Sequence, residues 1–426
     1  MERNDPRYQA YVEILKEELI PAMGCTEPIA LAYAAAKARE VLGVLPDSVQ
    51  LQVSGSIIKN VKSVIVPNTG HLKGMEAAVA AGIIAGSAEK ELEVISEVSE
   101  EKKSAIRDYL QTVPITIEHT EQGHVFDIVV TERCGQDYAR VRIADYHTNI
   151  CRIEKNGTVL YEVPLLDETV QEDARADRSL LNMQDIWDFA ETADLRDVAD
   201  LLERQIRYNN AIAEEGLLGD YGANIGRVLL TTYGNDVSNR AKAKAAAGSD
   251  ARMNGCELPV IINSGSGNQG ITCSVPLIEY AKELHSGKEK LYRALIISNL
   301  VAIHEKTGIG TLSAYCGAVS AGAGAGAGIV YLCGDGYQAA IHTVVNALAI
   351  VSGIVCDGAK ASCAAKIASS VDAALLGYNM YKCNQEFKGG DGIVMKDIET
   401  TIKGIGRLGK DGMRQTNEEI IQLMMS

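Results

Sequence analysis

The spacing of hydrophobic and polar residues divides the chain into an α+β first part and a mostly helical second part. Apolar residues recur at helical intervals over 8–20 and over 29–43, and again over 74–86 and 95–110. We predict helices in these ranges because such spacing puts the apolar side chains on one face. Thr26 can cap the second helix, and Pro28 suits its first turn.

Alternation of apolar and polar residues predicts strands between these helices. The runs over 48–58 and 62–70 have β-type composition, and 114–162 alternates between turn signals such as Glu121-Gln122-Gly123. We predict a meander of about four strands in that last range. The first part is therefore expected to contain a mostly antiparallel sheet.

The acidic stretch 164–180 begins with Pro164 and predicts a linker or an exposed connection. Beyond it nearly every segment has helical spacing. We predict two domains: an α+β domain over 1–165, which contains the Gly-Cys-Thr-Glu-Pro motif, and a mostly α-helical domain over 181–426.

Two segments of the second part, 307–334 and 336–356, contain no charged side chain and are long enough to cross a bilayer. They are rich in glycine and polar residues, however, and no basic flank sets an orientation. We predict buried helices of a bundle rather than a transmembrane hairpin.

The net charge disfavours two classes of function, nucleic-acid binding and membrane binding. The 426 residues include 41 Lys and Arg against 56 Asp and Glu, a net charge of −15, which disfavours binding to nucleic acid or to an anionic membrane. Aromatic residues make up only 5%, and there are 40 glycines, so we expect closely packed helices. Such helices are compatible with a homodimer, although the sequence does not fix the oligomeric state.

The cysteines are the first candidates for chemistry. The charged N-terminus has no apolar signal-peptide core, so we expect a cytoplasmic protein whose ten cysteines are reduced. Cys316 precedes Cys356 by 40 residues and Cys363 follows by 7, each beside small residues. Three thiolates could hold an iron–sulfur cluster with one iron open. Alternatively, these are buried apolar residues. Zinc is less favoured because no close cysteine pair is present and the histidines are scattered.

Cys25 is predicted to lie at the start of a helix, where the pKa of a thiol is lowered. It could act as a base or a nucleophile, or it could simply be a small residue in a turn. Glu27 could be its partner, or an acid favoured by the helix dipole.

Two polar segments could bind an anionic substrate. The glycine-rich stretch 263–273 offers Ser264, Ser266 and Asn268, together with backbone N–H groups. It resembles the loop that binds substrate carboxylates in some pyridoxal-phosphate dehydratases, but their lysine motif is missing, and a plain turn is the alternative. The second segment offers Lys59 with the turn residues Asn68 and Thr69, which could equally serve only the loop's architecture. His304 and His342 are more typical of core histidines.

Five motifs, in this order along essentially the whole chain, resemble the L-cysteine desulfidase family: PAMGCTEPIALA, GSIIKNVKSVIVPNTGHLKG, INSGSGNQGITCSVP, GIGTLSAYCGAVSAG and CDGAKASCAAKIA. The second half is also similar to the alpha chain of iron–sulfur L-serine dehydratases. In that chain a cysteine, followed about 40 residues later by a close cysteine pair, holds a [4Fe–4S] cluster.

The resemblance implies a role for each matching residue. Cys316, Cys356 and Cys363 would bind the [4Fe–4S] cluster, and Cys25 would accept the substrate's proton. The implied activity is α,β-elimination of L-cysteine to pyruvate, ammonia and hydrogen sulfide, with L-serine dehydration as the alternative. The short Cys356–Cys363 interval favours the desulfidase branch, whereas Cys273, Cys333 and Cys383 have no assigned role and a ligand exchange is conceivable.

Overall fold

The computed structural model describes residues 1–120, 124–165, 175–310 and 312–425. Its first part alternates helices and strands. They are α1 (Pro6–Glu18), β1 (Pro21–Met23), α2 (Thr26–Leu42), β2 (Ser48–Ser54), α3 (Gly55–Val61), α4 (Gly74–Ala85), α5 (Glu100–Thr112), β3 (Ile115–Thr120), β4 (Asp127–Cys134), β5 (Asp137–Ala144), β6 (Ile150–Lys155) and β7 (Thr158–Glu162).

The second part is almost entirely helical, as predicted. Its elements are α6 (Met183–Thr192), α7 (Ala199–Leu218), α8 (Ile225–Tyr233), α9 (Val237–Met253), β8 (Pro259–Ile261), α10 (Gly267–Glu283), α11 (Lys288–Ile309), α12 (Gly317–Cys333), α13 (Tyr337–Val351), α14 (Cys363–Lys382), α15 (Ile398–Arg407) and α16 (Arg414–Met425). Short 3₁₀ turns span Ala88–Glu93, Arg178–Leu180 and Leu195–Asp197, and a π-helical turn spans Leu408–Gly412.

The main sheet has six strands in the order β3-β2-β4-β5-β6-β7. Its pairs are antiparallel except β2–β3, which is parallel, with Val49 opposite Ile115. β3 is therefore not part of the predicted meander. A parallel partner requires a crossover connection, which α3, α4 and α5 provide here. Helix α2 packs against β4 and β5 and buries one face of the sheet.

Two predicted strands are wrong in part. The run 48–58 is a strand only to Ser54, because Gly55 begins α3. The run 62–70 forms only one isolated bridge, Ile65 with Lys73, since the chain turns back after Pro67 with positive φ at Asn68. The predicted turn at 121–123 lies outside the described residues.

The predicted boundary between the domains remains a prediction, and several contacts cross it. Strand β1 pairs with β8 of the helical part. Residues 166–174 of the predicted linker lie outside the described residues. After them, Arg175 and Arg178 form ion pairs with Glu17 and Glu18 of α1.

The helices pack closely through small residues, as the composition predicted. A Cβ at Gly82 would lie 2.1 Å from the Ala32 carbonyl oxygen, and one at Gly324 would lie 2.4 Å from that of Ser298. The two uncharged segments contribute α12 and α13, which pack against α11 and α14. Within the described part of the chain, no helix combines the length and apolarity that a membrane span requires.

Candidate active site

Cys25 lies at the start of α2, as predicted. The preceding Gly24 has φ +62°, and a Cβ there would lie 2.7 Å from Pro67 Cγ. Cys25 itself is the N-cap residue, is only 3% exposed, and makes no capping hydrogen bond through its side chain. Thr26, which we expected to cap the helix, is its first residue and donates a hydrogen bond to the Gly265 carbonyl oxygen at 2.9 Å.

Glu27 is the immediate partner of Cys25. Cys25 Sγ lies 3.4 Å from Glu27 Oε2, and Asn60 Nδ2 donates to Glu27 Oε1 at 3.0 Å. His147 Nε2 lies 3.9 Å from the same oxygen. Burial raises the pKa of Glu27, but the interactions with His147 and the charge of Arg252 outweigh it and hold the pKa at about 2. Glu27 is therefore a buried carboxylate anion.

The expected lowering of the Cys25 pKa is wrong for this structure. Burial raises the pKa of the Cys25 thiol well above its usual value, and the negative charge of Glu27 raises it further. The loss of water around a buried thiolate outweighs the favourable helix N-terminus. Cys25 is consequently harder to deprotonate than an ordinary thiol, and its thiolate is correspondingly more basic.

Cys316 and Cys356 lie on two facing extended segments. Cys316 N donates to the Ile354 carbonyl oxygen at 3.1 Å, and Cys356 N donates to that of Ala314 at 2.6 Å. The pairing centres on a Tyr315–Val355 bridge, so alternation puts both cysteine side chains on the same side of it.

Cys363 is the first residue of α14, and its Sγ lies 3.6 Å from the Gly358 carbonyl oxygen. A Cβ at Gly358 would lie 2.2 Å from the Lys59 carbonyl oxygen, so the loop between Cys356 and Cys363 packs directly on α3. Asn60, the next residue of α3, holds Glu27. The loop of the cysteine pair and the Cys25–Glu27 pair are thus joined through α3.

The four thiols are electrostatic neighbours. Burial raises the pKa of Cys316 to about 12, and negative charge on Cys356 and Cys363 adds to this. Charge on Cys363 likewise adds to the raised pKa of Cys25. No three His, Cys, Asp or Glu side chains within the described ranges are grouped closely enough to hold a metal ion.

The glycine-rich loop leads into α10. Ser264 has φ +48° and donates from Oγ to Asn263 Oδ1 at 2.9 Å. Ser266 is the N-cap residue of α10, without a capping hydrogen bond from its side chain. Among the described residues, the buried Asn268 Oδ1 and Gln269 Oε1 have no hydrogen-bond partner. The loop therefore presents polar groups that the protein itself leaves unpaired.

The other predicted substrate residues are engaged within the protein. Lys59 is 1% exposed and donates to Asn417 Oδ1 of α16 at 2.6 Å. Asn68 donates to the Ile95 carbonyl oxygen at 2.8 Å, and Thr69 donates to that of Val66 at 2.7 Å. These bonds agree with the loop-architecture alternative, and the roles of all three in substrate binding stay predictions.

The remaining candidates lie elsewhere. Cys333 is at the opposite end of α12 from Cys316, about 25 Å away at 1.5 Å per residue over 17 residues, and Cys383 follows the far end of α14. An exchange of ligands with either is excluded by this distance. Cys273 is fully buried in the core. His304 pairs with Glu399 at 2.9 Å and His342 with Glu386 at 2.5 Å.

Sequence reasoning missed His147 and Arg252. Arg252 is 2% exposed, and its Nε and Nη2 atoms have no hydrogen-bond partner in the part of the chain that the structure describes. Both are single residues without a motif, more than 100 positions from Cys25. For Arg252, the one indication in the sequence is an arginine that follows the small residues of α9.

The starts of α2, α10 and α12 meet in this region. The start of α2 contacts the loop before α10 through Thr26 and Gly265. A Cβ at Gly317, in α12, would lie 2.6 Å from Gln269 Cδ of α10. The start of α14 adjoins α3 through Gly358. Helix N-termini carry partial positive charge, and such charge favours negatively charged groups nearby.

The family model of the serine dehydratase alpha chain matches residues 89–422. The chain belongs to this family. Among its relatives, the UPF0597 protein of Desulfitobacterium hafniense strain Y51 is 61% identical over 426 residues, covering 100% of this chain and 99% of the relative. UPF0597 proteins of Lachnoclostridium phytofermentans (52% identity, 98% of this chain, 100% of the relative) and Treponema denticola (47%, 100% of both) are also similar over their full lengths.

Proposed function

We propose that this protein is an iron–sulfur-dependent lyase that converts L-cysteine to pyruvate, ammonia and hydrogen sulfide. The observation that supports this best is the position of Cys25, which starts α2 beside the ionised Glu27 and is electrostatically coupled to Cys363. All four cysteines of the site are free thiols, and Cys25 is buried.

Cys316, Cys356 and Cys363 would hold a [4Fe–4S] cluster. The residues suit such a cluster in two ways. The three thiols are free, and Cys316 and Cys363 stand at helix starts. Lys366 also forms an ion pair with Asp357, which lies between Cys356 and Cys363 in the sequence. When bound, a cluster with only three protein ligands supplies an open iron that acts as a Lewis acid.

The protein's own residues would perform the proton transfer. Cys25, in its thiolate form, would take the Cα proton of the substrate and become a thiol. The electron pair of the C–H bond forms the Cα–Cβ double bond, and the Cβ–S bond breaks to release hydrosulfide. The resulting aminoacrylate tautomerises, and water hydrolyses it to pyruvate and ammonia. The Cα proton is weakly acidic, so the raised pKa of Cys25 makes its thiolate a suitable base.

L-Serine dehydration is the second candidate, and the family match to the serine dehydratase alpha chain favours it. Loss of hydroxide in place of hydrosulfide needs the same base in the same position. In either case the partner is a small amino acid. A reducing compartment such as the cytoplasm would suit these free thiols, and a homodimer stays a prediction.

The test compares both substrates on protein purified and reconstituted with iron and sulfide without oxygen. We expect sulfide release from L-cysteine with a higher kcat/KM than pyruvate formation from L-serine. A higher value for serine would make the protein a serine dehydratase. Protein that binds no iron and turns over neither amino acid would contradict a lyase and support a non-catalytic amino-acid-binding protein.

A further inference from the structure

Arg252 is a buried cation that nothing in the described protein neutralises by direct contact. It is 2% exposed at the C-terminal end of α9, and its Nε and Nη2 atoms have no hydrogen-bond partner among the described residues. A guanidinium removed from water without partners is costly, so such groups are normally paired. The arrangement indicates that the Arg252 guanidinium binds an anionic ligand from outside the protein.

The guanidinium points at the start of α10. A Cβ at Gly267, the first residue of α10, would lie 2.2 Å from Arg252 Nε and 2.7 Å from Cζ. The absent side chain of Gly267 therefore makes room for the arginine. Since Ser266 does not cap the helix through its side chain, a full positive charge and the positive end of a helix face the same place. An anion placed between them would be favoured by both charges.

This place adjoins the proposed base. Thr26, next to Cys25, donates to Gly265 in the loop that leads to Gly267. The charge of Arg252 lowers the pKa of both Cys25 and Glu27. Arg252 therefore belongs to the surroundings of Cys25, while Glu27 takes its direct contacts from Asn60 and His147.

We propose that the Arg252 guanidinium and the N-terminus of α10 together bind the α-carboxylate of the amino-acid substrate and turn its Cα toward Cys25. A guanidinium fork matches the two oxygens of a carboxylate, which a lysine cannot do. This inference rests on the proposed function, because it requires an amino-acid substrate. It adds a substrate-binding residue that lies outside all five sequence motifs.

The first test needs no mutation and compares L-cysteine with L-cysteinamide, which lacks the negative charge. The wild type should prefer the acid by at least about 100-fold in kcat/KM, because the buried guanidinium is left unpaired by the amide. Arg252→Gln should lose most activity on L-cysteine and most of this preference. Arg252→Lys should regain part of the preference. Arg240→Gln is the matched control, since Arg240 lies on the same helix but is ion-paired with Glu283 at the surface.

A wild type that accepts the amide as well as the acid would overturn the proposal, as would an Arg252→Gln variant that keeps the preference. Circular dichroism and iron content establish that each variant is folded and loaded. If Arg252→Gln does not fold, the comparison of the two substrates on the wild type decides.

Binding separates this inference from the proposed lyase activity. L-Alanine has no leaving group, so its affinity can be measured by calorimetry even if the protein turns over nothing. We expect the reconstituted wild type to bind L-alanine at least about 10-fold more tightly than L-alaninamide, and Arg252→Gln to lose this difference. Equal affinities, or no binding of either, would overturn the role of Arg252, whereas binding without turnover of cysteine or serine would contradict the lyase alone.

Discussion

Cys25 Sγ lies 3.4 Å from Glu27 Oε2, within one helical turn and out of contact with bulk water. The two pKa values are shifted in opposite directions: that of Glu27 is lowered to about 2, whereas that of Cys25 is raised. Glu27 is therefore charged at every working pH, and its charge adds to the effect of burial in raising the pKa of Cys25. This relationship makes the reactivity of Cys25 dependent on Glu27.

Replacing Glu27 by glutamine should shift the pH dependence of turnover. Cys25 must be a thiolate to accept a proton, so kcat/KM should rise with pH on its acidic limb. Glu27→Gln removes the negative charge that raises the Cys25 pKa, and the limb should move to lower pH. The measurement is the kcat/KM profile for L-cysteine in both proteins. A limb that stays in place or moves to higher pH would show that Glu27 does not control the thiol.

Cys25→Ser should abolish turnover while leaving the cofactor in place. A hydroxyl is a far poorer base, and loss of a general base typically lowers the rate about 100- to 10,000-fold. Iron content and visible absorbance should equal those of the wild type. Cys134→Ser, on β4 and away from the site, serves as the control and should keep full activity. Loss of iron from Cys25→Ser would reassign Cys25 as a ligand.

Alanine at Cys316, Cys356 or Cys363 should remove both the visible absorbance and the activity, because each thiol would contribute one of three bonds to the cluster. Cys333→Ala is the comparison, since Cys333 is exposed at the opposite end of the helix that Cys316 begins. Retained iron and turnover in any of the three variants would remove that residue from the ligand set.

Gly82→Ala should destabilise the fold without touching the site. The new Cβ would lie 2.1 Å from the Ala32 carbonyl oxygen, so α4 must move away from α2. We expect a loss of about 1–3 kcal/mol in the free energy of unfolding, measured by urea denaturation. Gly353→Ala, where a Cβ meets nothing within 4 Å, should change it much less. Equal effects would refute the role of close helix packing.

Much of the fold follows from local sequence patterns. The predicted helices over 8–20, 29–43 and 74–86 correspond to α1, α2 and α4, because their apolar spacing and end signals agree. The parallel pairing of β2 with β3 could not be predicted, because three helices separate the two strands in the sequence. Helix α3 was not predicted, because the apolar run 48–58, which contains its first residues, is equally typical of a strand.

The candidate site was predictable only where a motif carries it. Cys25, Cys316 and Cys363 each lie in a motif that the sequence shows, and only the helix start at Cys25 was predicted. Arg252 and His147 reach the site through tertiary packing, which no local pattern encodes. The raised pKa of Cys25 was missed for the same reason, because the extent of burial depends on the whole fold.

The most direct test of the central claim is Mössbauer spectroscopy of Cys25→Ser, reconstituted with iron-57 without oxygen, before and after addition of L-cysteine. Because this variant should bind substrate without consuming it, one iron site in four should change its isomer shift and quadrupole splitting. An open iron facing the Cys25 position would be contradicted by either of two results. The protein could hold no cluster, or the spectrum of all four irons could stay unchanged when L-cysteine is added.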